Sequence, residues 1–87
     1  MVTRPHFIPG VTQTLEDVGG RYTVSILRGN GRRNGLYCQG DLAEVMVTDR
    51  NGVNVTHRFV NIHPGTTGEY LDANEVNRIL VAVRQAF

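Results

Sequence analysis

The sequence predicts an α+β fold: an antiparallel β-meander of three or four strands, one C-terminal helix packed on one face, and an extended N-terminal arm. Three observations carry that expectation. Val76, Ile79, Leu80, Val83 and Phe87 recur at the spacing of one buried helical face. Tyr22, Val24 and Ile26 alternate with Thr23, Ser25 and Leu27, the period of a half-buried strand. Between them, Leu42–Val60 reads as a hairpin folded about Asn51-Gly52.

Each element follows in chain order. Pro5, Pro9 and Gly10 interrupt the first ten residues, which predicts an extended arm pinned to the body by Phe7 and Ile8. Val11, Leu15 and Val18 stand at helical spacing before Gly19-Gly20, so 11–18 is expected to be a short helix or a loop. Residues 1–20 are thus arm plus short helix or loop, and 21–87 form a single α+β domain. Arg21–Arg28 is the first strand, and Gly29-Asn-Gly-Arg-Arg-Asn-Gly35 is a loop by composition. Leu36–Gln39 resumes as a short strand, which makes a hairpin with a basic tip, and Gly40-Asp41 bends the chain.

The register of the next hairpin can be argued. A two-residue turn at Asn51-Gly52 mixes apolar and polar residues on both faces. A three-residue loop, Arg50-Asn51-Gly52, pairs Asp49 with Val53, Val47 with Val55, Val45 with His57 and Ala43 with Phe59 on one apolar face. It also sets Glu44 across from Arg58 as an ion pair. Residues 61–68 form a loop, and Asp72 with Glu75 three residues on marks the helix start. The sheet face away from the helix then shows Leu42, Glu44, Met46, Arg58 and Val60, a half-apolar surface that invites a partner.

Composition narrows the function. The chain has 87 residues, 40% of them hydrophobic and 20% charged, and no apolar run long enough to span a membrane. The first residues lack the apolar stretch of a signal peptide, and one cysteine, Cys38, cannot form an internal disulfide, so a cytoplasmic location is expected. All nine basic residues are arginine, against eight acids. Their scatter along the chain fits coding bias better than a designed set of anion-binding forks. His6, Cys38, His57 and His63 lack zinc-site spacing, and His57 falls on the apolar sheet face as a hydrogen-bonded core histidine. Cys38 on a strand reads as a small core residue, paired carboxylates for acid–base work are missing, and no P-loop lysine follows the glycines. Asn54-Val-Thr56 matches a glycosylation sequon but reads as accidental.

The expected function is therefore that of a small non-enzymatic binding protein, without metal or cofactor, acting by protein–protein contact as an inhibitor, accessory or assembly module. Its partner is a second protein or another copy of the chain, as a homodimer. The alternative is nucleic-acid binding through Arg28, Arg32 and Arg33 on the glycine-rich loop. The first 35 residues carry five arginines against two acids, whereas the remaining 52 carry four against six.

Overall fold

The computed structural model describes residues 1–86. Five strands run β1 (Val2–Pro5), β2 (Val11–Val18), β3 (Tyr22–Gly29), β4 (Ala43–Asp49) and β5 (Gly68–Leu71), followed by helix α1 (Ala73–Arg84). The strands form one antiparallel sheet in chain order, so the architecture is α+β as expected, with five strands rather than three or four.

The helix is where local signals place it. The Asp72 carboxylate accepts from the Glu75 backbone N–H at 2.8 Å, and Glu75 Oε1 accepts from the Asp72 N–H at 3.0 Å, closing a capping box. Val76, Ile79, Leu80 and Val83 are buried against the sheet, while Phe87, expected to complete the stripe, lies outside the described residues. Opposite them, Val24, Ile26, Val45, Val47 and Val55 are at most 2% exposed, so each contributes about 1.5–3 kcal/mol of burial. Tyr22, Phe59 and Val60 pack around the rim of this core.

The first twenty residues depart from expectation. Val11–Val18 is a strand, not a helix or loop, and it pairs along its whole length with β3, from Val11–Gly29 to Val18–Tyr22. Gly19 and Gly20 do not end a helix. With φ of +61° and +68° they form the centre of the turn that returns the chain into β3. The arm is extended but is itself a sheet edge, β1, where Pro5 takes the last paired position, facing Thr12. An edge strand needs no N–H from its proline on the outer side.

The second hairpin starts in the expected register and then leaves it. The Asp49 N–H donates to Val53 O at 2.9 Å, the Val55 N–H donates to Val47 O at 2.8 Å, and Gly52 adopts φ +79°. Beyond that point the return strand ends in a 3-10 turn, Thr56–Arg58. The Val47 N–H donates to Thr56 Oγ1 at 2.9 Å instead of to the Val55 carbonyl, which accepts from the Arg58 N–H at 3.0 Å. Asn54 Oδ1 holds the Thr56 N–H at 3.0 Å and its hydroxyl at 2.6 Å. A side-chain oxygen has replaced a main-chain one in the ladder, which turns the chain out of the sheet. The residues read as a sequon are thus a structural switch, with Thr56 fully buried.

As a result, Val45–His57, Ala43–Phe59 and the Glu44–Arg58 ion pair do not form. β5 takes that place, pairing Leu71 with Ala43 and Gly68 with Val45 across a bulge. Leu36–Gln39 is also not a strand, because β4 occupies the edge of β3 with Val47 on Val24 and Val45 on Ile26. The loop from Asn30 to Leu42 instead folds over the sheet face away from the helix. There Cys38 and Leu36 meet Val11, Leu27 and Ile8 in a second, smaller core. Gly31 is required for this fold-over: a Cβ there would lie 2.5 Å from Cys38 Sγ and 2.8 Å from Leu36 Cβ.

Candidate functional site

The expected sheet-face surface is not a single patch. Met46 is half-buried beside Ser25, whose hydroxyl accepts from Gln13 Nε2 at 3.0 Å, while Arg4 donates to Gln13 Oε1 at 3.2 Å. That part of the open face is a polar network rather than a half-apolar platform. Val60 packs against the main core on the helix side, and Arg58 is exposed at the far end of the sheet. Leu42 remains 38% exposed at the base of the Asn30–Leu42 loop. Glu44 is committed elsewhere: Oε1 accepts from the Tyr37 N–H at 2.7 Å, and Oε2 accepts from the Thr67 hydroxyl at 3.3 Å.

The structure instead displays basic and aromatic side chains at the end of the sheet that carries the β1–β2 turn, the 30–42 loop and the end of β5. Arg32 and Arg33 lie on a 3-10 turn, Arg32–Asn34, and with Arg28 at the end of β3 all three are exposed. The Arg32 guanidinium sits 6.0 Å from the centroid of the Tyr70 ring, and Tyr70 meets Tyr37 edge to face at 6.1 Å. Tyr70 has φ +52°, which makes it the non-glycine residue with a left-handed backbone among those described. A bulky residue in that region costs on the order of 1–3 kcal/mol and persists only where surrounding contacts hold it. Here the Tyr70 N–H donates to Tyr37 O at 3.0 Å.

Phe7 crowns the β1–β2 turn of the same end, 88% exposed, its ring 4.3 Å from that of His6. The turn is set by the Ile8 N–H donating to His6 Nδ1 at 3.2 Å, and it lies beside the loop through the Asn30 N–H donating to Gly10 O at 3.1 Å. Ile8 pins the arm, as expected, but Phe7 points away from the body. Tyr70 and Phe7 escaped sequence reasoning. Tyr70 carries no local signal, whereas an aromatic between Pro5 and Pro9 could have been read as a displayed turn residue.

Groups with reactive potential are placed without chemistry around them. Cys38 is fully buried, and burial pushes its thiol above the ordinary value of 9.0, with a Gly31 backbone hydrogen bond acting in the opposite direction. His57 lies in the 3-10 turn, not on a strand. Its Nδ1 is shut off from solvent with no hydrogen-bond partner among the described residues, contrary to the expected hydrogen-bonded histidine. No three His, Cys, Asp or Glu side chains converge as a metal cluster among the described residues, and no helix there is long and apolar enough to cross a membrane. Comparison of the chain with protein-family models, with curated proteins and with solved structures gives no match.

Proposed function

We propose that this chain is a non-enzymatic binding protein that works by protein–protein contact through the loop end of its sheet, with Phe7, Arg32, Tyr37, Leu42 and Tyr70 as the contact residues. The observation that carries the reading is the Arg32–Tyr70–Tyr37 stack built on a left-handed tyrosine. Tyrosine, phenylalanine and arginine are the residue types that concentrate in the buried centres of protein interfaces. A second copy of the chain is one such partner. The test uses the full chain as bait, beside its Phe7→Ala/Tyr37→Ala variant, with light-scattering mass measured on both. The expected result is a dimer, or a retained protein, present with the wild type and lost with the variant while the melting temperature holds. Equal mass and equal retained proteins for both would refute it.

Nucleic-acid binding is the second reading, favoured by the exposed Arg28, Arg32 and Arg33 beside two tyrosines, the makings of a stacking platform. Charge weighs against it. Asp41, Glu44 and Glu69 lie in or beside the same loop and strand, so three carboxylates balance the three arginines locally. An absorbance ratio at 260 and 280 nm across the size-exclusion peak separates the two readings. A bound single strand engaging three arginines would show a log-affinity against log-salt slope of about −2.

A further inference from the structure

At the opposite end of the sheet, arginines that are far apart in sequence meet. Arg21 follows the Gly19-Gly20 turn, Arg50 lies in the bulged loop after β4, and Arg58 ends the Thr56–Arg58 turn. With Tyr22, Asp49 and Asn51 they line one open concavity of about 170 Å³. We propose that this concavity is a binding site for a phosphate dianion, either free or as the terminal group of a small phosphomonoester.

Charge supports this first. Among the described residues one ion pair forms, Arg84 with Glu16, so none of these three guanidiniums is held in direct contact with a carboxylate. Asp49, the acid in the lining, is engaged with its own turn: Oδ1 accepts from the Asn51 N–H at 2.8 Å and the Val53 N–H at 3.0 Å. Three guanidiniums against the one carboxylate of Asp49 leave the lining with an excess of positive charge, which an anion within it offsets.

Geometry selects the anion. Arginines from three separate turns line the hollow, and three planar forks suit the three free oxygens of a phosphate better than the two of a carboxylate. The hollow is open and small, so it takes the anionic group and leaves whatever is attached to it outside. The Tyr22 ring, held edge to face on Phe59 at 5.4 Å, gives one wall a fixed position.

The experiment follows the arginine Nε–Hε resonances of the full chain during titration with inorganic phosphate, and separately with glycerol phosphate, at constant ionic strength set with chloride. Near pH 7.5 both probes are largely dianionic. The expected result is that resonances of Arg21, Arg50 and Arg58 move together along one saturable curve for at least one probe. The probe with the lower half-saturation identifies the free or the esterified form as the better ligand. Arg21→Gln, Arg50→Gln and Arg58→Gln should each raise half-saturation by roughly tenfold or more, the effect of one charge-assisted hydrogen bond. Arg78→Gln on the exposed face of α1 should leave it unchanged. Linear shifts for both probes, or equal weakening by Arg78→Gln, would overturn the proposal, and the wild-type titration decides even if a variant is unstable.

Discussion

Replacing Thr56 by valine should unseat the point where the second hairpin leaves the sheet. Thr56 is fully buried, and valine keeps its volume and branching, so the perturbation is one oxygen exchanged for a methyl. That oxygen accepts from the Val47 N–H at 2.9 Å, and the Val55 carbonyl that could replace it is held by the Arg58 N–H at 3.0 Å. The Val47 N–H therefore becomes a buried, unsatisfied donor, at a cost of about 1–3 kcal/mol. The added methyl returns less than about 0.8 kcal/mol. A net loss of about 1–2 kcal/mol is large beside the roughly 4–13 kcal/mol expected for a chain of this length. In urea, with a slope of about 1 kcal/mol per molar, the midpoint should fall by about 1–2 M. Amide exchange supplies the specific reading: the Val47 N–H should lose protection in T56V and keep it in T56S, which retains the hydroxyl. If T56V lies within about 0.5 kcal/mol of the wild type, or Val47 exchanges alike in both variants, the hydroxyl is not what diverts the chain.

Three further outcomes are expected. Asp72→Ala removes the capping box and should cost about 1 kcal/mol in a denaturation curve, whereas Asp72→Asn should recover most of it; equal losses would place the effect elsewhere. Glu16 has its carboxyl held below the ordinary 4.5, first by the hydrogen bonds from Arg84, so its contribution is full above that value and lost as pH falls through the folded-state value. The stability of Glu16→Gln should accordingly fall less steeply on acidification than that of the wild type, and parallel curves would discount the pair. Cys38 should react with iodoacetamide at neutral pH far more slowly than a free thiol, because burial raises its pKa and closes access; rapid stoichiometric labelling would contradict its placement in the smaller core.

How much of this was legible depended on whether the deciding interaction lay within a few residues. The helix was readable from Asp72 to Val83 because its cap and its apolar stripe are both local. The bulged loop was readable because Gly52 must take a positive φ there, and the alternation in β3 and the valines of β4 specified two central strands. β2 was misread because Val11, Leu15 and Val18 suit a helix and a strand alike, and the choice is made by β1 and β3 on either side. β5 is four residues, too short for a period, and it enters the sheet only because Thr56 has vacated the edge of β4. The proposed binding surfaces were the least visible. Arg28, Arg32 and Arg33 could be grouped by adjacency, but Tyr70, over whose ring Arg32 lies, comes from another element. Arg50 and Arg58 looked scattered because sequence distance conceals the turns that bring them to Arg21.

The smaller core under the 30–42 loop has its own thermodynamic consequence. Val11, Leu27, Cys38, Ile8 and Leu36 share no member with the cluster beneath α1. These side chains and a few hydrogen bonds, such as Tyr70 N–H to Tyr37 O and Tyr37 N–H to Glu44, hold the loop, so its opening is expected to need less free energy than global unfolding, with the helix and its sheet face staying closed meanwhile. The loop-end surface is thus present only for the fraction of time the loop is shut. Any partner that reads Tyr37 and Arg32 in place has its apparent affinity multiplied by that fraction, and its arrival slows loop opening. Under the proposed function, Cys38 and Leu36, which lie beneath the loop rather than on its outer surface, would thereby tune how tightly a partner is held.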